Sequence, residues 1–294
     1  MAVTETAAVG PEALAPHLVG GTPRRAWRGR LQLLLPGGTI ALIVGICFLG
    51  PMVGALPAPT GGDILESGLP ALSPGHLLGT DPNGNDILSR LVYGGRSSLI
   101  IAVSVNLLGL LFGGGLGALS AYLGGFFDTS IMRVLDVLIA FPSLVLTLAV
   151  AQSLGPSMRN TILSLAFFSI PAFARISRAA TLRLLTQPFM AAAELCGTSR
   201  WRILLRHIAP IVGPQLITFG MLGMGIVIIV EGALSFLGLG IPPPAPSWGN
   251  MVYEGQQSMS AGASLVIWPS IALLITVLSF NLLGDSLRSR WSGR

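Results

Sequence analysis

The chain has 294 residues, of which 52% are apolar and only 10% charged. A soluble domain carries about 25% charged residues, so an ordinary water-soluble globule is excluded and lipid is the natural solvent. The formal net charge of +5 rests on 17 basic residues, all arginine. They are scattered on short segments without the aromatic interleaving of a nucleic-acid-binding face.

Residues 1–30 are rich in Ala, Pro and Gly and end in Arg24, Arg25, Arg28 and Arg30. That composition is expected to be disordered, leaving residues 31–294 as one membrane domain. The uncharged run Leu31–Gly62 follows. It is too long for a secretory leader and lacks a small-x-small cleavage site at the right distance, so it is expected to remain as a helix. Residues 57–96 are acidic and turn-rich, carrying Asp63, Glu66, Asp81 and Asp86. A second run, Ser97–Phe127, contains Gly113–Gly114–Gly115, and small residues inside a span favour close helix packing. Val137–Met158 is a third run. Asn160–Ala180 is less pure, with Arg175 and Arg178 in its last turn and a half. Ile208–Val230 and Gly255–Gly284 complete the set, separated by residues 241–262, which open with three prolines. Each run is about the length that carries a helix across a bilayer core. The expected fold is an all-α integral membrane protein with six transmembrane helices.

Six spans divide the intervening segments into two sets. The N-terminus, the turn near 124–133, the loop around 175–207 and the C-terminal tail hold 14 arginines, whereas Arg90, Arg96 and Arg159 make 3 in the other set. The positive-inside rule then places both termini and the 181–210 loop in the cytoplasm, with 57–96 and 241–262 outside. Cys47 and Cys196 suggest neither a disulfide framework nor a metal site, and His17, His76 and His207 are far apart in sequence. No GxxxxGK[ST] loop is present, so no ATP-binding loop of that kind is expected. No nucleophile elbow or carboxylate pair suggests catalysis, and the chain is not expected to be an enzyme.

The 181–210 loop is the informative one. Phe189–Glu194 is a good helix former, and Gly197 is placed to end it in the left-handed conformation. Ser199 can cap a second short helix, Arg200–Ile208, which Pro210 is expected to stop. The result is a helix–turn–helix whose Ala-rich face permits close approach to another protein. An amphipathic helix lying in the membrane interface fits the same residues.

Ala191–Ala192–Ala193, with Gly197 four residues on and Pro210 thirteen beyond that, resembles the Glu-Ala-Ala ("EAA") loop of ABC importer permeases. Ala191 stands where that pattern has Glu. His76–Asp81 and Asp86–Leu91 resemble the LGTDxxGRDxxSR segment of the second membrane subunit of dipeptide, oligopeptide and nickel importers, with Asn85 in place of Arg. Tyr122–Asp128, Met132–Arg133, Asp136, Ala140–Pro142, Leu234–Gly240, Pro246–Gly249 and Phe280–Asp285 are also similar to that family, in the expected order.

The resemblance implies a type I ABC importer fold in a bacterial inner membrane. Implied partners are a second homologous permease subunit, ATPase subunits or a two-domain ATPase, and an extracytoplasmic substrate-binding protein. ATP and Mg would be held by partners, with no cofactor on this chain. The implied ATPase-coupling residues are Ala191, Ala192, Ala193, Glu194, Gly197, Arg200, Arg202, Arg206 and Pro210. Asp81, Asp86, Glu231, Trp248 and Glu254 are candidates for an external gate or for docking of the binding protein; a solvated loop face fits Asp81, Asp86 and Glu254 equally. Glu231, near the outer end of the fifth span, is costly in lipid and leaves two readings, a hydrogen bond to the following loop or a gate. Asp136, close to Arg133, is expected to be half of a structural ion pair. The resemblance implies that the chain forms half of a translocation pore for di- or oligopeptides, with nickel or haem-like substrates, handled by other relatives, as the alternative. A stand-alone secondary carrier or a membrane scaffold are the competing classes, the first lacking midplane coupling carboxylates and the second leaving the loop unexplained.

Overall fold

Without water in a bilayer core, every backbone N–H and C=O must be paired within the protein, and a helix does this locally. In the computed structural model, which describes residues 23–54, 56–259 and 262–292, regular structure is helical apart from two isolated bridges, Ser73 with His76 and Thr80 with Asp86. Helix α1 (Pro23–Leu49) begins on a proline, whose missing N–H is not needed in a first turn. Residues 23–30, expected to be disordered, are therefore helical; the rest of that stretch lies outside the described residues.

The second span is α2 (Ile87–Leu108), a π turn (Gly109–Gly113) and α3 (Gly114–Leu123), running unbroken for 37 residues. It starts at Ile87 rather than Ser97 because Asp86 caps it, its side chain accepting from the Ser89 N–H at 2.7 Å. Among the described residues, five helices are long and apolar enough to cross a membrane, six if a bent pair counts as one span. The bent pair is the expected third span. Helices α4 (Gly125–Ala140) and α5 (Ser143–Leu154) meet at 89°. Pro142 disfavours helical backbone at Phe141, which is extended at φ −82°, ψ 142°. The less pure fourth span, by contrast, is a single helix, α6 (Met158–Leu185). Two of its arginines are neutralised: Arg178 grips Asp128 with two hydrogen bonds of 2.6 and 2.5 Å, and Arg175 bonds Asp136 at 2.7 Å. Asp136 thus forms an ion pair, with Arg175 rather than with neighbouring Arg133.

Helix α7 (Pro188–Leu195) and α8 (Arg200–Ile203) follow. Pro210 does not stop α8, as its sequence position suggested. A π turn (Leu204–Ile208), in which the Ala209 N–H bonds the Leu204 carbonyl, carries α8 into α9 (Ala209–Phe236). Pro210 sits in the first turn of α9, and the widened turn removes the need for its N–H. Helix α10 (Trp248–Gln257) and α11 (Ser264–Ser292) complete the chain, so the sixth span begins later than Gly255.

The α2–α3 span, α6, α9 and α11 form the core, with α1 packed on α11 and α10 wedged among α2, α9 and α11. Glycines make the α2–α3 contact with α6 possible. A Cβ on Gly109 would lie 2.6 Å from a Phe173 ring carbon, and one on Gly113 2.8 Å from the Phe173 Cβ. Gly115 faces open space, so of the triple glycine only its first two members pack closely.

Candidate functional site

Two features stand at opposite ends of α9. The first is the α7–α8 hairpin. Cys196, Gly197 and Thr198 close α7 with the hydrogen bonds Gly197 N–H to Glu194 O (2.9 Å) and Thr198 N–H to Ala193 O (3.2 Å). That pair of bonds needs a left-handed residue at the turn, and Gly197 has φ +71°. Ser199 occupies the N-cap of α8 with extended backbone, but its side chain makes no capping bond. Met190, Ile203 and Ile208 are each at most 1% exposed and seat the hairpin against Phe173, Val212 and Leu216.

The outer face of the hairpin is open. Ala191, Ala192, Glu194, Arg200, Arg202, Arg206 and Pro210 are exposed and Ala193 is half-buried. Among the described residues none of these four charged side chains forms an ion pair. Sequence reading missed the apolar part of this face: Leu195 is 90% exposed, Trp201 67% and Leu205 68%. Large apolar residues set among arginines just after Gly197 were the available signal.

The second feature is a polar cluster at the other end. Arg90 is buried and reaches Asp81 with one terminal nitrogen and Glu254 with the other, the latter at 2.6 Å. Asp81 also accepts from the backbone N–H groups of Asn83 and Asn85 and from the Asn85 amide. Asp86, besides capping α2, faces His76 Nδ1 at 2.9 Å, and His76 Nε2 faces Glu66 at 3.2 Å. The Asp86 carboxylate, and after it Glu66, hold the His76 pKa above its ordinary value despite partial burial. Asp81, Asp86 and Trp248 are 3%, 5% and 2% exposed. They are therefore internal struts rather than parts of an exposed docking surface, because each is already paired inside the protein. Glu254, also expected at that surface, is bound to Arg90 and lines a cavity of about 220 Å³ with Asp81, Tyr253 and Gln257.

Glu231 joins this end to α9. It is 1% exposed and accepts hydrogen bonds from Ser235 (2.8 Å), Ser247 (2.9 Å) and Ser98 (3.4 Å). Of its two readings from sequence, the hydrogen bond to the following loop is present through Ser247. The three serines were not singled out from sequence, although Ser235 stands one helical turn beyond Glu231.

A family model described as "Binding-protein-dependent transport system inner membrane component" matches residues 109–292. The chain belongs to this family. The permease is 44% identical over 216 residues to the glutathione transport system permease protein GsiD of Pectobacterium atrosepticum, covering 74% of this chain and 72% of that one. GsiD of Escherichia coli is 43% identical over 213 residues, covering 72% and 70%. Among solved structures, two crystal forms of the MetNI methionine ABC transporter in inward-facing conformations align with TM-score 0.56 at 17% and 18% identity, over 68% of this chain and 95% of that one. At that identity the likeness is one of fold, a type I ABC importer permease. The permease is thus a multi-pass inner-membrane subunit of an ABC importer, of the peptide and nickel group that its motifs resemble. Work with ATPase subunits and a binding protein comes with that membership.

Proposed function

We propose that this permease forms half of a peptide-conducting pore and that its α7–α8 hairpin is the part driven by the ATPase. The single observation that carries the reading is the exposed, unpaired face of that hairpin, set by the Gly197 turn and continuous through α8 with α9. Ala191 and Ala192 permit close approach, Leu195 and Trp201 offer apolar area, and Arg200, Arg202 and Arg206 offer charge for an acidic or amide-rich cleft. The arginine bias supports a cytoplasmic hairpin and cytoplasmic termini, with the Asp81–Arg90–Glu254 cluster on the outer side. The second, homologous permease subunit would complete the pore. ATP and Mg would stay on the ATPase partners, whose closure would switch access between the two sides by rigid-body movement.

The cargo reading rests on the two GsiD relatives, whose name gives glutathione, a small peptide. Co-expression with the importer's other subunits tests the assembly: affinity-tagged permease should bring down ATPase subunits, and Ala192→Arg should release them. Uptake of labelled glutathione and dipeptides into proteoliposomes, dependent on ATP and binding protein, tests the cargo. A permease that purifies alone and carries peptide without ATP would sink the reading.

A further inference from the structure

We propose that Glu231 is a positioning residue that makes α10 travel with α9, so that movement of the hairpin at one end is delivered to the other. This deepens the importer reading and rests on it. The α8–α9 helix runs 37 residues without a break, about 55 Å at 1.5 Å per residue. At its hairpin end, Ile203 and Ile208 lock it into the core, so a displaced hairpin moves the helix rather than a loose loop.

At the far end α9 is tied to the next helix, α10, and to α2, 133 residues away in sequence at the Ser98 contact. Backbone meets backbone where Gly249 of α10 lies against Gly232 of α9, too close for a Cβ on Gly249. One turn of side chains then fastens the contact. Ser247, the N-cap of α10, accepts from the Asn250 N–H at 3.1 Å and donates to Glu231 at 2.9 Å. Ser98 of α2 donates to Glu231 at 3.4 Å and accepts from the Trp248 N–H at 3.2 Å. Trp248 in turn donates its indole N–H to the Leu91 carbonyl of α2 at 2.8 Å. A carboxyl group at this depth is costly unless hydrogen-bonded. A leucine could fill the same space, but it could not join α2, α9 and the α10 cap through directional bonds. Glu231 thus makes the three elements one unit at the end opposite the hairpin.

The test uses the complete importer in lipid nanodiscs, in a Cys196→Ser background, with spin labels at Ile229→Cys on α9 and Gln256→Cys on α10. With Glu231 in place, the label separation should be the same in the resting and the ATP–vanadate-trapped states. Glu231→Ala should let the separation change on trapping and lower uptake per ATP hydrolysed about tenfold, the order expected for losing buried hydrogen bonds. Glu231→Gln, which keeps an acceptor oxygen for Ser235 and Ser247, should restore both. A separation that already differs between states with Glu231 present overturns the proposal, as does normal coupling in Glu231→Ala. Should that variant fail to assemble, Ser247→Ala decides the matter: a lowered uptake-to-ATP ratio supports the tie, and an unaltered one removes it. Absence of ATP-dependent uptake with the native chain would instead overturn the importer reading itself, and this inference with it.

Discussion

Gly117, on the α3 face against α6, permits a quantitative test of the helix contact at the centre of the fold. A Cβ placed there would lie 2.8 Å from the carbonyl carbon of Ala174 and 2.9 Å from its Cα, and nearer still to its carbonyl oxygen. Relaxed carbon–carbon contacts need about 3.5–4.0 Å, and the obstacle is backbone that cannot rotate aside. Gly117→Ala therefore requires α3 and α6 to part by about 1 Å, the shortfall from van der Waals contact. That separation also stretches the hydrogen bond from Ser177 Oγ to the Gly114 carbonyl, now 2.6 Å, beyond useful length. Overpacking costs about 1–3 kcal/mol and the lost bond about 1 kcal/mol. Alanine's better helix propensity returns about 1 kcal/mol, leaving a net destabilisation of about 1–3 kcal/mol. Gly115→Ala is the control, since nothing lies within 4 Å of its Cβ position; it should be neutral or slightly stabilising. Unfolding in mixed-detergent titrations of the purified variants measures the difference. Equal stability of the two variants would refute the close-packing argument.

Gly197→Val should strain the hairpin by about 1–2 kcal/mol, because a β-branched residue is forced to positive φ, and should lower uptake per ATP while hydrolysis continues; normal coupling would remove Gly197 from the lever. Arg90→Ala strands buried Asp81 and should destabilise by about 3–5 kcal/mol, whereas Asp136→Asn breaks a pair half open to its surroundings and should cost at most about 1 kcal/mol. Thermal melts of the two variants should separate clearly. For His76 the folded pKa lies above the ordinary value, so its bonds to Asp86 and Glu66 stabilise the 63–86 segment fully below that ordinary value. The contribution is lost as pH rises through the folded pKa. Protection factors of this segment, which remove the intrinsic base catalysis of exchange, should therefore fall as pH rises from the ordinary histidine value through the higher folded pKa, and His76→Gln should abolish that fall; a fall in protection that survives the substitution would assign it elsewhere.

Membrane residence, the number of apolar runs and the turn at Gly197 were all readable from the chain. These features obey local or additive rules: apolar length decides partition into lipid, and a left-handed turn demands glycine whatever surrounds it. The family motifs likewise named the hairpin before its shape was known. Pro210 and Pro142 show where local rules stop. Both signal a helix break, yet the chain breaks only at Pro142, while a π turn locked by buried Ile203 and Ile208 carries the helix through Pro210. Burial was decided in the same non-local way. Asp81 and Trp248 were candidates for an external gate or docking surface, but Trp248 is held by the Leu91 carbonyl and Asp81 by an Arg90 that also reaches Glu254, contacts that cross the fold. Sequence by itself determined that this protein lives in lipid and that its chain turns at Gly197. Only the tertiary structure decided which polar groups find partners, because a hydrogen bond depends on atoms brought within 3 Å from distant parts of the chain.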